Sequence, residues 1–322
     1  MVILTGGAGF IGSCLIKELN DNNIYDIIVV DELGHENKWK YLANKRISQV
    51  LHINSFRNII RRNNVKISKL KTIIHLGACS STTETNVDYL LDNNFLYTRE
   101  LMDFAINNNI RFIYASSAAT YGDGSNGYSD KSIANLIPLN PYGFSKHLLD
   151  MYVMNNNLES KITGIKFFNV FGPNEAHKGN MQSMILKSYN QIKETGKVCL
   201  FKSNDKKYAD GGQMRDFIYV KDCCKVIMRM LNDNTFTGIY NLGTGKARTW
   251  NDLANAVFSA MKITPNIEYI DMPNNLSNQY QNFTQADTDK LLTKLGNDFL
   301  FTELEDAVAD YVCNYLGKCC YY

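Results

Sequence analysis

Nowhere does the sequence hold an apolar run of membrane-spanning length, which excludes transmembrane helices and any membrane partner they would imply. It also lacks a strong charge of either sign. With 34 Lys and Arg against 32 Asp and Glu, a formal +2, no whole-molecule field draws it to nucleic acid or a membrane surface. Any anion it binds must be held by a local cluster. There is no C-x-x-C pair, and none of the eight cysteines sits at ligand spacing from a histidine, so no metal site is expected. Cys79, Cys223, Cys224, Cys319 and Cys320 read as reduced thiols, the last two in a frayed tail. Met1 runs straight into an apolar strand and leaves no room for a leader peptide, so the expected location is the cytoplasm.

What is present begins with Val2-Ile3-Leu4 followed by Thr5-Gly6-Gly7-Ala8-Gly9-Phe10-Ile11-Gly12. This reads as strand, glycine turn and helix, and Gly7-x-Gly9-x-x-Gly12 fits a dinucleotide fingerprint. One glycine permits the tight turn, the next lets backbone N–H groups approach a pyrophosphate, and the third lets helix pack on strand. Ile27-Ile28-Val29-Val30 forms a second strand ending at Asp31, where a ribose-binding acid is expected about 20 residues beyond the turn.

Further along, Lys38 to Arg46 reads as a helix, Val50 to Ile53 as a third strand and Thr72 to Leu76 as a fourth. The fourth ends in small side chains, Gly77-Ala78-Cys79-Ser80-Ser81, which let a ligand lie against backbone. Val87 to Ile106 has the period of one long buried helix, its apolar face interrupted by Asn93 and Asn94, either core hydrogen-bonders or cofactor contacts. Phe112 to Ala115 is a fifth strand, ending at Ser116-Ser117. Strands alternating with helices predict an α/β, Rossmann-type doubly wound parallel sheet. Ile162 to Phe167, Val198 to Phe201 and Ile267 to Ile270 read as later strands, and Asn180 to Thr195, Asp222 to Leu231, Asn251 to Met261 and Phe301 to Tyr315 as helices. The division expected is a dinucleotide-binding domain over 1–166 and a smaller, interleaved substrate lobe over 167–322, some of whose segments return to the first.

Tyr142 and Lys146 are spaced to share one helical face, where an ammonium can favour a tyrosinate and so make a base of a phenol. Tyr41 with Lys45 and Tyr189 with Lys193 have the same spacing, but only Tyr142 and Lys146 follow a small-residue strand end inside the nucleotide-binding half.

Taken together, the glycine turn, Ser117 and Tyr142-x-x-x-Lys146 resemble an extended short-chain dehydrogenase/reductase of the sugar-nucleotide-modifying group. Phe168-Asn169-Val170-Phe171-Gly172-Pro173, Arg215-Asp216-Phe217 and Tyr240-Asn241-Leu242-Gly243 match that group's second half. Gly77 to Glu84, Tyr114 to Gly122, His177-Lys178-Gly179 and Phe283 to Asp287 narrow the resemblance to the ADP-glyceromanno-heptose 6-epimerases. That family inverts C6 of ADP-D-glycero-D-manno-heptose for the lipopolysaccharide inner core, with a bound nicotinamide cofactor.

The resemblance implies a catalytic set of Ser117, Tyr142, Lys146 and, as a second base, Lys178. It implies a cofactor set of Gly6, Gly9, Phe10, Ile11, Gly12, Asp31, Glu32, Lys38, Leu76, Gly77, Ala78, Cys79, Ser80, Asn93, Lys146, Val170 and Lys178. For the substrate, ADP-heptose, it implies Ser80, Asn169, Asn180, Lys187, Phe201, Lys202, Ser203, Asn204, Arg215 and Tyr280, with a homo-oligomer, specifically a homopentamer. Asp31 alone argues for NAD, since a carboxylate repels a 2′-phosphate. The resemblance argues for NADP, with Lys38 neutralising that phosphate, and NADP is the expectation carried forward. Four features depart from the family pattern. The loop 202–214 is longer, Lys166 replaces Arg, Leu76 replaces Glu, and Glu32 replaces Asn. A 4-epimerase of another nucleotide sugar and a non-catalytic dinucleotide sensor remain the alternatives. The acidic pair of a 4,6-dehydratase is replaced by Ala118 and Ala119.

Overall fold

The computed structural model describes residues 1–35, 37–62, 69–273, 280–296 and 298–322. The first half alternates strand and helix: β1 (Val2–Thr5), α1 (Phe10–Asp21), β2 (Ile27–Val30), β3 (Gln49–Leu51), α2 (Ile53–Arg61), β4 (Thr72–His75), α3 (Val87–Leu90), α4 (Tyr97–Asn107), β5 (Arg111–Ser117), α5 (Pro141–Asn155) and β6 (Ile162–Phe167). The second half adds β7 (Asn169–Phe171), α6 (Met184–Thr195), β8 (Val198–Phe201), β9 (Met214–Tyr219), α7 (Val220–Asn232), β10 (Gly238–Leu242), β11 (Ala247–Thr249), α8 (Trp250–Met261), β12 (Ile267–Ile270), α9 (Asp289–Leu295) and α10 (Leu304–Asp310).

Seven strands form one parallel sheet in the order β10-β6-β5-β4-β1-β2-β3. β1, β4, β6 and β10 are buried at every position, as apolar strands covered by helices on both faces must be. From β1 the chain builds outward through β2 and β3, then returns to β4 on the other side of β1. This reversal leaves a crevice at the carboxyl ends of β1 and β4, where the glycine turn and the Gly77 segment both emerge. β7 pairs in parallel with β9, which pairs antiparallel with β11, and β8 pairs with β12. The Rossmann-type sheet expected from the alternating pattern is thus present, with β10 from the second half as its outermost strand beside β6.

Local chemistry shifts several expected boundaries. The expected helix over 38–46 reduces to a single 3-10 turn, Asn37–Tyr41. The third strand ends at Leu51 because the His52 side chain caps a new helix at Asn54 N, and Phe56 and Ile60 turn that helix inward. α6 starts at Met184 rather than Asn180, since Ser183 Oγ accepts from Leu186 N. The expected long helix over 87–106 is broken by a π turn, Leu91–Leu96, which rolls Asn94 into the core. There its amide takes Cys79 N at 2.9 Å and donates to Cys79 O and to Ser145 Oγ, both at 3.0 Å. π turns of this kind recur at functional sites.

The tail is docked rather than frayed. Tyr321 packs edge-on to Tyr41 at 5.1 Å, and Tyr322 N donates to Asn174 Oδ1 at 3.1 Å. Among the described residues all eight cysteines are free, no His/Cys/Asp/Glu cluster could hold a metal, and no helix is long and apolar enough to cross a membrane.

Candidate active site

The crevice deepens into a cleft of about 800 Å³. Its floor is the glycine turn, where two positions tolerate nothing larger. A Cβ on Gly6, whose φ is +68°, would stand 2.6 Å from Gly77 N, and one on Gly12 would stand 2.1 Å from Gly6 O. Thr5 locks this approach from below: its Oγ1 accepts from Gly77 N at 3.1 Å and lies 2.6 Å from His75 Nδ1, while His75 Nε2 lies 2.9 Å from Thr98 Oγ1. Burial holds the His75 imidazole down to about 3, so it stays neutral. Bare backbone facing the first turn of α1 is the cradle a dinucleotide pyrophosphate needs, and the residues present fit that group.

At the end of β2, Asp31 Oδ2 accepts from Ala8 N at 2.8 Å, while Oδ1 accepts from Glu32 N and from Lys38 Nζ, each at 2.8 Å. The acid therefore braces the glycine turn as well as facing the cleft. Glu32 is exposed, and its carbonyl takes a second bond from Lys38 Nζ at 2.7 Å.

The opposite wall comes from β5 and α5. Asn140 Oδ1 caps α5 through Gly143 N at 2.8 Å and Pro141 opens it, so Tyr142 and Lys146 fall on its buried face. Ser117 bonds the Tyr142 hydroxyl, and its Oγ also accepts from Ala119 N at 3.1 Å. Lys146 Nζ donates to Ala115 O at 2.8 Å and is held down to about 8 by burial, opposed by Asp150. Burial raises the Tyr142 hydroxyl and the Ser117 bond lowers it, while the Lys146 amine donates to the Ala115 carbonyl of the neighbouring strand. Behind the wall, Asp150 accepts from Tyr114 OH at 2.9 Å, Ser116 Oγ at 2.7 Å and Lys166 Nζ at 2.5 Å, and Lys166 also reaches Thr120 Oγ1 at 2.7 Å.

The third wall is the loop beyond β7. Lys178 lines the cleft with Nζ 5.2 Å from the Phe10 ring centroid, and burial lowers its amine against the pull of Glu175. Every residue of the expected catalytic and cofactor sets lines this one cleft. The Tyr41–Lys45 and Tyr189–Lys193 pairs do not.

Of the expected substrate set only Ser80 lines the cleft. Asn169 lies on β7 with Oδ1 3.5 Å from Thr284 Oγ1, and Asn180 O takes Lys187 Nζ at 2.7 Å. Lys202 pairs with Asp271 at 2.9 Å. Ser203 folds its own loop, its N donating to Asp210 Oδ1 at 2.8 Å and its Oγ to Asp205 O at 2.7 Å, with Asn204 between. Phe201, at the end of β8, joins this loop through Gly211 N at 3.4 Å.

Arg215 gathers a second group. Its guanidinium stands 5.6 Å from the Trp250 ring and 5.0 Å from the Tyr280 ring, and Trp250 Nε1 donates to Tyr280 OH at 2.9 Å. Only 6% exposed, Arg215 has no carboxylate at ion-pair distance among the described residues, an arrangement suited to an anion brought from outside. β9 carries Arg215 and pairs with β7, linking this group to the cleft wall at Val170.

Several residues of the site were not anticipated. Trp250 reaches Arg215 because β11 returns onto β9, a non-local pairing without local signature. Thr5 and Tyr97 also line the cleft, and the buried Tyr97 hydroxyl has no hydrogen-bond partner among the described residues. Thr5, closing an apolar strand before the glycines, was the one legible signal.

A switch-point crevice with this floor, an acid closing the second strand and a Ser–Tyr–Lys wall defines a nicotinamide-dependent enzyme of Rossmann type. The chain belongs to the NAD dependent epimerase/dehydratase family, whose model matches residues 2–243. It is 50% identical over 319 residues, 98% of each chain, to an ADP-L-glycero-D-manno-heptose-6-epimerase of Nitratidesulfovibrio vulgaris (strain DP4). It is 43% identical over 330 residues to one of Fusobacterium nucleatum, covering 99% of this chain and 98% of that one. Among solved structures, the Helicobacter pylori ADP-L-glycero-D-manno-heptose-6-epimerase superposes with a TM-score of 0.80 at 27% identity, covering 97% of this chain and 95% of that one.

Proposed function

We propose that this chain inverts C6 of ADP-D-glycero-D-manno-heptose to the L-glycero epimer, by transient oxidation and reduction, for the lipopolysaccharide inner core. The names of relatives at 43 and 50% identity support the substrate. The observation that carries the chemistry is that two proton-transfer groups from different elements, Tyr142 and Lys178, line the same cleft.

A bound nicotinamide would take the hydride from C6 and later return it; the chain moves the proton. Tyr142 exchanges the hydroxyl proton at O6, and Ser117 bonds the same oxygen and holds it in register. Lys146 holds the cofactor ribose. Loss of hydride leaves a planar ketone at C6. Returning hydride from the same face regenerates the starting centre unless the ketone turns over. C6 is exocyclic, so rotation about C5–C6 accomplishes this, exchanging the carbonyl oxygen with the CH₂OH group and carrying the oxygen away from Tyr142. Lys178 then protonates it from the other wall. The Arg215–Trp250–Tyr280 group takes the nucleotide diphosphate, Arg215 by its fork. Incubating the protein with ADP-D-glycero-D-manno-heptose and following C6 by NMR tests the reaction and its stereochemistry together, and an unchanged sugar overturns it.

The cofactor is NADP. Lys38, bonded to Asp31 and to the Glu32 carbonyl, sets a cation beside the carboxylate that would otherwise repel a 2′-phosphate. Mass spectrometry of nucleotide released by denaturation is expected to give NADP, and NAD alone overturns this. A cytoplasmic location, a homopentamer and a substrate lobe built mainly from 167–322 accompany this reading, the assembly being open to light scattering.

A further inference from the structure

The loop from β7 to α6 carries Lys178 on a 3-10 turn, Ala176–Met181, that bends at Gly179 with φ +52°. Beneath it lies Glu175, with no exposed surface. Its carboxylate accepts from Ser183 N and Ser183 Oγ, each at 2.6 Å, from Gly172 N at 3.4 Å, and from the Tyr311 hydroxyl. One side chain therefore ties both ends of the loop, Gly172 where it leaves β7 and Ser183 where it caps α6. The Glu175 carbonyl accepts from Lys178 N at 3.0 Å, which puts Lys178 one tight turn further along.

The surroundings of the Lys178 amine are sparse. Phe10 of α1 gives it an aromatic face, and Nζ has no hydrogen-bond acceptor among the described residues. The charged and titratable groups near it are Glu175 in its own loop, Lys187 of α6, and His177, which packs on Tyr41 of the 37–41 turn. Lys187 is itself held by Asn180 O at 2.7 Å. A carboxylate buried without a paired cation is costly to keep ionised, and here it faces two lysines across a loop it also closes.

We propose that Glu175 is the positioning residue of Lys178: it closes the loop that sets the amine at the cleft wall, and it supplies the buried negative charge that keeps that amine an ammonium able to give up a proton. This rests on the role of Lys178 given above. Burial pushes Lys178 down and Glu175 pulls it back, while Ser183, Lys178 and Gly172 pull Glu175 back toward ionisation against its own burial. Hydrogen bonds from Ser183 and Gly172 thus act on Lys178 through the carboxylate.

The test uses the whole protein and no sugar. Trace acetylation with acetic anhydride across a pH series, read at the Lys178 peptide by mass spectrometry, reports the fraction of free amine. Glu175→Gln keeps the size and an acceptor for Ser183 but removes the charge. Its Lys178 should acetylate about threefold faster or more at neutral pH, with the midpoint moved to lower pH. Glu175→Asp, which keeps the charge, should restore the wild-type midpoint, and in turnover Glu175→Gln should lower kcat with KM little changed. An unmoved midpoint in Glu175→Gln overturns the proposal. Should that variant fail to fold, Ser183→Ala withdraws one bond from the carboxylate: a smaller shift in the same direction supports the proposal, and none overturns it. Because acetylation needs no substrate, failure of the heptose reaction and failure of this proposal are separate results.

Discussion

The two cleft walls to which the proposed mechanism gives proton transfer are built by different means. Tyr142 sits on a 15-residue helix with a side-chain cap and a proline start, beside a seven-residue strand that ends at Ser117. Behind them the Lys166–Asp150 pair, with no exposed surface, joins strand to helix. Lys178 sits on a loop whose shape depends on one buried carboxylate and two glycines with positive φ, Gly172 and Gly179. The first wall is set by backbone periodicity and survives small losses. The second is set by a few side-chain bonds, so its chemistry can be altered without disturbing the fold.

The comparison can be broken most forcefully at Tyr142. Tyr142→Phe should keep bound cofactor yet lose roughly 10²–10⁴-fold in epimerisation, and turnover within a few-fold of wild type would remove it from the chemistry. Lys166→Met should show the rigidity of the same wall as stability instead. Leaving Asp150 charged and unpaired costs about 3–5 kcal/mol, measured by urea unfolding, and a loss near zero would mean the wall does not depend on the pair. Lys178→Met should leave unfolding unchanged and slow epimerisation by about 10²-fold. Dismutation of a C6-aldehyde mannose analogue through Tyr142 should persist. A raised KM with kcat intact would reduce Lys178 to a binding group.

A pH effect lies under the floor. His75 titrates at about 3 folded against 6.5 unfolded, so between those values the unfolded chain holds the extra proton and stability falls as pH falls. The loss should approach about 1.4 kcal/mol per pH unit, and His75→Gln should flatten that part of the profile. A parallel profile in the variant would assign the acid sensitivity elsewhere.

Legibility followed the same division. Val2–Thr5, Gly6–Gly12, Asp31 and Tyr142 with Lys146 could be read because each function depends on residues adjacent or one helical turn apart, and local spacing survives in a sequence. The central strands were visible as short apolar runs for the same reason. The π turn at Leu91–Leu96 was not, because its cause is the distant Cys79 backbone and Ser145 that Asn94 must satisfy. Lys146 turning to Ala115 O was hidden likewise, since spacing puts a lysine on a face without saying which acceptor lies nearest. Trp250 and Glu175 matter only through chain segments brought together by β9 and α6.

The place of β10 bears on how the chain comes to be made. Until Gly238–Leu242 has left the ribosome, β6 is the outer strand of an unfinished sheet, with its backbone edge unpaired. Asn241 then does more than add a rung. Its N–H reaches Asp130 at 2.8 Å, its Oδ1 takes the Tyr121 hydroxyl at 2.7 Å and its Nδ2 donates to Tyr128 O at 2.7 Å, all on the segment between Ser117 and Tyr142. The wall between Ser117 and Tyr142 is therefore tied down by a piece of chain translated long after it, and a nascent protein with its full nucleotide turn already in place still waits for that late strand before this wall is held.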